Sequence, residues 1–272
     1  MPVLEIDRIS KTFKPGTPNQ VNALTGISLS LHAGSFLIVI GTNGSGKSTL
    51  LNAVAGTFYV DTGTISIAGQ NITKWPEHRR ARLIGRVFQD PFSGTAPTMS
   101  IAENLVLASR RGRPRGLGLA VNRRSMEELR ARIRPLNMGL EDRLDNPIGS
   151  LSGGQRQALT LLMASWLKPD LLLLDEHTAA LDPKTADQVI HLTHEIIERD
   201  KLTTLMVTHS MQQAVNLGDR IVMMYKGRII HDLEGSERAR VRPQDLLSRF
   251  EDIRRREQLD GAVAEMLHCN YV

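Results

Sequence analysis

Several short segments of this chain carry the groups needed to hold and split a phosphate anhydride. Gly41-Thr42-Asn43-Gly44-Ser45-Gly46-Lys47-Ser48-Thr49 fits the pattern GxxxxGK[ST]. In such a glycine-rich turn, successive backbone N–H groups can curl around phosphate oxygens. Lys47 can then reach the β- and γ-phosphates, and the Ser48 hydroxyl can ligate Mg²⁺. Leu171-Leu172-Leu173-Leu174-Asp175-Glu176 is an unbroken apolar run ending in two carboxylates. Asp175 suits the Mg²⁺ shell, which leaves Glu176 to orient or deprotonate an attacking water. Gln89 closes Val87-Phe88-Gln89, where its amide could touch the ion or the water. His209 closes Val207-Thr208-His209, where it could hydrogen-bond the γ-phosphate.

Leu151-Ser152-Gly153-Gly154-Gln155 precedes a helical run from Gln157 to Ala164. Ser152 suits a helix N-cap, and the two glycines let the backbone come close to whatever lies in front of that helix. Free N–H groups and the positive end of the dipole make such an N-terminus a phosphate site. Singly, each segment has a plainer reading: a strand–helix turn, an acidic helix start, a surface glutamine, a satisfied loop histidine, a serine cap. Their joint occurrence is what carries weight.

These groups need strand ends and helix starts to position them. Alternation and apolar runs predict strands over 3–9, 23–31, 36–40, 63–69, 170–175 and 203–208, with a hairpin of 221–225 and 228–233. Helical spacing is predicted over 48–55, 101–108, 124–134, 185–199 and 211–217, and in a charged tail over 242–267. The order implies an α/β core with a helical insertion near residues 90–150. The acidic run would sit at a strand's C-terminal end, where α/β sheets bind ligands. No internal repeat is evident, so one such unit is expected.

At 272 residues with 41% hydrophobic and 23% charged, the chain can bury an ample core. No apolar run approaches the ~20 residues of a membrane span, and Met1 to Asp7 has no secretory leader pattern. A single cysteine, Cys269, excludes an intrachain disulfide framework and fits a reducing compartment. The net charge of +5 gathers at Arg79, Arg80, Arg82 and Arg86, at Arg110, Arg111, Arg113, Arg115, Arg123 and Arg124, and at Arg238, Arg240, Arg242, Arg254, Arg255 and Arg256. Nucleic acid, anionic headgroups and plain solvation all accommodate such clusters. With 4% aromatics and no interleaving of rings among the arginines, nucleic acid is disfavoured.

In order, the phosphate loop, Gln89, LSGGQ, LLLLDE, Ala180-Leu181-Asp182 and His209 resemble the motifs of the ATP-binding cassette (ABC) ATPases across roughly residues 3–235. The resemblance implies a P-loop NTPase core of α/β class with an N-terminal antiparallel β-subdomain and an inserted α-helical subdomain. The ATPase domain would span 1–235, with its core in 1–89 and 150–235 and its helical subdomain in 90–149. Residues 236–272 would form a helical tail given to packing or dimer contacts. ATP and Mg²⁺ are the implied ligands, with Ser48, Gln89 and Asp175 toward the metal and Glu176, Gln89 and His209 in catalysis. Phe13 stands where the family places a ring against adenine, although a core phenylalanine is a fair alternative. Ser152, Gly153, Gly154 and Gln155 would cap the γ-phosphate held by a second copy, and Asp182 would couple the two sites.

Membrane permease subunits, a separate substrate-binding protein and a place on the cytoplasmic face of the inner membrane follow from the same resemblance. Nucleic acid does not. The basic loop 110–124 would face the membrane subunit or anionic headgroups. An exporter ATPase is the alternative, and a soluble cassette acting on nucleic acid a weaker one. Residues 87–91 with Gly94-Thr95, 175–185 and 202–209 resemble a bacterial importer group with tryptophan or tyrosine as proposed cargo. His177, where proline usually follows the glutamate, and Ala180, where serine or glycine often stands, depart from the pattern.

Overall fold

The computed structural model describes residues 2–112, 123–253 and 255. Unbroken apolar runs become strands buried on both faces, and alternating runs become strands buried on one. Strand β1 (Pro2–Phe13) pairs antiparallel with β2 (Val21–His32) and β4 (Thr62–Ile67), and β4 pairs with β5 (Gln70–Asn71), giving the order β2-β1-β4-β5. On β1 the core takes Leu4, Ile6 and Ile9. The spacing of three before Ile9 reflects a register shift at Arg8, whose φ is +45°.

A six-stranded sheet runs β10-β9-β3-β8-β7-β6. It consists of β3 (Phe36–Gly41), β6 (Ile84–Val87), β7 (Leu171–Asp175), β8 (Thr204–Val207), β9 (Arg220–Tyr225) and β10 (Arg228–Leu233). All pairs are parallel except the β9–β10 hairpin. Every residue of β3 is buried, as are Leu171 to Leu174 of β7.

Helix α1 (Lys47–Ala55) lies between the two sheets in an apolar layer that includes Leu50, Leu51, Ile65, Leu171 and Leu205. On the other face of the parallel sheet, α6 (Pro183–Asp200) and α7 (Met211–Leu217) pack with Ile38, Leu172 and Met206. A third apolar cluster joins α3 (Ile101–Ser109), α4 (Arg123–Ile133) and α5 (Gly153–Ser165) through Leu105, Leu129, Ile133 and Leu159.

Some elements differ from the sequence expectation. The strand expected over 63–69 stops at Ile67, because Ala68 and Gly69 turn with φ of +49° and +75° into β5. The helical tail divides into α8 (Gly235–Arg240) and a helix over 243–253 (α9), with Pro243 at the restart. The remainder of that tail, Cys269, Arg254, Arg256 and residues 113–122 of the basic loop lie outside the described residues.

Not every arginine is a surface charge. On α2 (Glu77–Arg80), Arg80 is buried and donates to the carbonyls of Ala53 and Val54 at the end of α1, and to Trp75 and Thr73. Arg156 donates to Ile148, Gly149 and Leu151, and Arg238 to Val215 and Gly218 near the end of α7. These guanidiniums satisfy orphan carbonyls, which removes them from any polyanion-binding surface.

Candidate functional site

Strand β3 runs directly into the glycine-rich loop, and α1 begins at Lys47. Gly46, at φ +99°, leads into the helix, and a Cβ there would stand 2.5 Å from the Ala23 carbonyl oxygen. Only glycine allows that backbone path. The Lys47 ammonium donates to the carbonyls of Gly41 (2.9 Å) and Thr42 (3.1 Å) and is 6% exposed. Burial pushes its pKa down, and the carboxylates of Glu176 and Asp175 oppose that shift.

Glu176 follows β7 with φ +41°, and its N–H donates to Val207 of the neighbouring strand (2.9 Å). Its carboxylate Oε2 lies 3.2 Å from Nδ1 of His209. The loops carrying these two groups are tied together through Gln213. The Thr208 hydroxyl donates to its amide oxygen (2.8 Å), and its amide nitrogen donates to the Thr178 hydroxyl (3.2 Å).

Phe13, Asn43, Gly44, Ser45, Gly46, Lys47, Ser48, Thr49, Gln89, Glu176 and His209 share one cleft of about 830 Å³. Gly41 and Thr42 line an adjoining cleft with Asn43 to Ser45 and His209. Phe13 is 37% exposed and meets Phe58 edge-on at 5.3 Å, so it is not a core residue. An exposed ring at the mouth of the cleft could stack on a planar base.

Asp175 stands behind this wall. Burial raises its pKa, and the guanidinium of Arg86, 3.7 Å away, is the first opposing influence. Arg86 also donates to Asn52 (2.5 Å) and Thr57 (3.2 Å) and lies over the Phe88 ring at 4.4 Å. The sequence placed Arg86 only among the basic clusters. The signal that could have found it is its place on β6, directly beside the acidic-ended strand, where Arg86 pairs with Leu173.

Ser48, Gln89 and Asp175 offer a hydroxyl, an amide oxygen and a carboxylate, the hard oxygen set that suits Mg²⁺. Among the described residues no cluster of three or more His, Cys, Asp or Glu is placed to hold an ion. A cation here would share its coordination with phosphate oxygens, the ordinary mode for Mg²⁺.

Ser152, Gly153, Gly154 and Gln155 do not line the cleft that holds Lys47. Ser152 caps α5 by accepting from the Gln155 N–H, and the Gln155 side chain accepts from the Ser152 N–H, both at 3.3 Å. Gly154 is pressed against α6, and a Cβ there would fall 2.1 Å from Cγ2 of Thr185. Asp182 caps α6 by accepting from Thr185 (3.1 Å), which holds its carboxyl below the usual range. Leu181, just before it, packs against Gly153.

His177 is buried between β7 and α6. The Thr193 hydroxyl donates to the Val189 carbonyl (2.7 Å), so its oxygen accepts from Nε2 of His177 (3.0 Å). Nδ1 has no partner, and burial pushes the pKa down to about 4. Because the folded value lies below the unfolded one, acid favours the unfolded chain. Stability from this group is complete above about pH 6.5 and is lost as pH falls toward 4. The loss should reach about 2 kcal/mol at pH 5. Urea denaturation at pH 7.5 and 5 checks this: His177→Gln, which can still donate to Thr193, should show a smaller drop in midpoint than the parent chain.

The family model described as "ABC transporter" matches residues 24–179. The chain is 40% identical over 251 residues to a tyrosine transport ATP-binding protein of Clostridioides difficile (strain R20291), covering 92% of this chain and 99% of that one. It is 33% identical to the lipoprotein-releasing system ATP-binding protein LolD of Ruegeria sp. (strain TM1040), covering 84% and 97%. Among solved structures, it is similar to the ADP conformation of the ATP-binding cassette MJ1267, with a TM-score of 0.74, 27% identity and coverage of 91% and 95%. It is also similar to a dimeric post-hydrolysis state of the cassette MJ0796 bound to ADP and Pi, with a TM-score of 0.72, 25% identity and coverage of 85% and 98%.

Proposed function

We propose that this chain, which belongs to the ABC transporter family as an ATP-binding cassette, hydrolyses ATP as a head-to-tail pair and drives import of an amino acid of the tyrosine or tryptophan type. The observation that carries the paired site is the separation of two phosphate-binding elements within one chain. Lys47, Ser48, Glu176 and His209 share a cleft, while the capped N-terminus of α5 lies outside it. A second copy related by a two-fold axis brings its Ser152–Gln155 over the γ-phosphate of this one, and the reverse.

In that arrangement Phe13 stacks on the base, the loop 41–49 cradles the phosphates, and Lys47 neutralises their charge. Glu176 takes the proton of the attacking water, with His209 fixing its carboxylate and the γ-phosphate. Ser48, Gln89 and Asp175 would hold Mg²⁺, which would supply charge neutralisation to the phosphates when bound. Arg86 opposes the burial that disfavours the charged form of Asp175. The ATPase domain of 1–235, with residues 90–149 as its helical subdomain, meets a membrane permease through that subdomain. No helix among the described residues is long and apolar enough to cross a membrane. In this reading the chain attaches on the cytoplasmic face through permease subunits, with a separate substrate-binding protein delivering cargo.

The resemblance to the tyrosine transport ATP-binding protein supports an amino acid of the tyrosine type as cargo, and the resemblance to LolD defines the rival. Intact cells whose only copy of the chain carries Glu176→Gln should lose uptake of labelled tyrosine or tryptophan. Unchanged uptake of both, with a defect in release of lipoprotein or another exported molecule, would overturn the import reading while leaving the ATPase intact.

A further inference from the structure

We infer that helix α9 forms the outer wall of the surface on which a second copy docks, so that the C-terminal segment sets the affinity of the ATP-dependent pair. Beside the nucleotide cleft lies a second one of about 690 Å³, lined by the loop 41–45, His209, Met211, Tyr225, Lys226 and the α9 residues Leu247, Phe250 and Glu251. The two clefts share Asn43, Gly44, Ser45 and His209.

Helix α9 is fixed to the body of the molecule. Leu246 is fully buried and Phe250 nearly so, one turn apart, in the apolar cluster that includes Leu233, Val241 and Ala214. Arg249 pairs with Glu237 of α8 at 3.0 Å. The adjoining stripe, Leu247 and Glu251, is also one turn apart and faces the second cleft. Leu247 is 50% exposed there, a large apolar side chain next to His209 and the phosphate loop.

The occupant follows from the two-fold arrangement proposed above, on which this inference rests. Within one chain the segment Ala179–Leu181 adjoins the α5 N-terminus, since Leu181 packs on Gly153. Ala179 and Ala180 are exposed. A second copy whose α5 covers this phosphate loop therefore brings its own 179–181 segment to the loop's flank, where α9 forms the far wall. Leu247 gives these exposed alanines an apolar surface to bury.

The test uses the full chain carrying Glu176→Gln, which should accumulate as an ATP-bound dimer. Sedimentation with ATP should show the dimer dissociation constant rising at least about tenfold when Leu247→Glu is added, the order of burying one unpaired charge at an interface. ATP binding by the monomer and the melting temperature should stay unchanged, and Leu247→Met should behave as the parent. An equal dimer constant for Leu247→Glu overturns the role of α9. A dimer that tightens on truncation after residue 255 and that Leu247→Glu does not weaken also overturns it, because the cleft would then belong to the chain's own last residues. If the Glu176→Gln parent stays monomeric with saturating ATP, it is the paired-site reading that falls, and this inference with it.

Discussion

Glu176→Gln should cut ATP turnover by about 10²–10⁴-fold, the range that a positioned general base contributes, and leave ATP binding in place. The change removes the charge but keeps the shape. A glutamine amide can still meet Nδ1 of His209, which lies 3.2 Å from the carboxylate, and the backbone bond to Val207 is untouched. What disappears is the ability to accept a proton from water. The consequence reaches beyond rate. If the γ-phosphate is the contact that two copies share, a chain that binds ATP without splitting it should stay paired, and the paired form should vanish when ATP is replaced by ADP. Single-turnover hydrolysis and sedimentation with ATP and ADP measure both. Undiminished turnover would remove Glu176 from the chemistry. Lost turnover without an ATP-dependent dimer would leave the base in place and discard the shared site.

Much of this site was legible because its parts are short and local. A turn that must expose consecutive N–H groups needs glycine, and an apolar run ending in carboxylates, read beside such a turn, fits a buried strand reaching a ligand-binding edge. β3 and β7 came out as expected for that reason. The parts that were not legible depend on partners far away in sequence. Arg86 reads as one basic residue among several until the β6–β7 register places it beside Asp175. Arg80 reads the same way until α2 turns it into the end of α1, where a Cβ at Gly56 would stand 2.7 Å from its Nε. Composition counts charges but does not distinguish a guanidinium that caps a helix from one that meets solvent. The tail reads as a helix from residue 242, and over the described residues it is one from Pro243. What the spacing does not reveal is that the buried pair Leu246 and Phe250 sets this helix against the phosphate loop.

Lys47→Ala should remove most ATP binding, by on the order of 10²-fold or more, the worth of charge-assisted hydrogen bonds to phosphate. The ammonium is already stripped of water and held by the carbonyls of Gly41 and Thr42, so little of its hydration remains to be lost when phosphate arrives. Its depressed pKa, caused by burial, is the cost of that preparation, and an anionic ligand reverses it. A protein that simply unfolds would also fail to bind, so the decisive measurement is ligand-induced stabilisation. At 100 times its Kd, ATP should stabilise the parent chain by about 2.7 kcal/mol and raise its melting temperature, while the variant should melt at one temperature with or without ATP. Removal of the side chain leaves two loop carbonyls to be met by water, and the ligand-free variant should be destabilised by no more than about 1–2 kcal/mol. Lys47→Arg should not rescue binding, because a planar guanidinium cannot act as the compact point charge that the carbonyls of Gly41 and Thr42 now hold. The Lys47 and Glu176 variants then divide the cycle: one never reaches the paired state, the other cannot leave it. A chain in which Lys47→Ala still formed the ATP-dependent dimer would show that the γ-phosphate is held by something other than this loop.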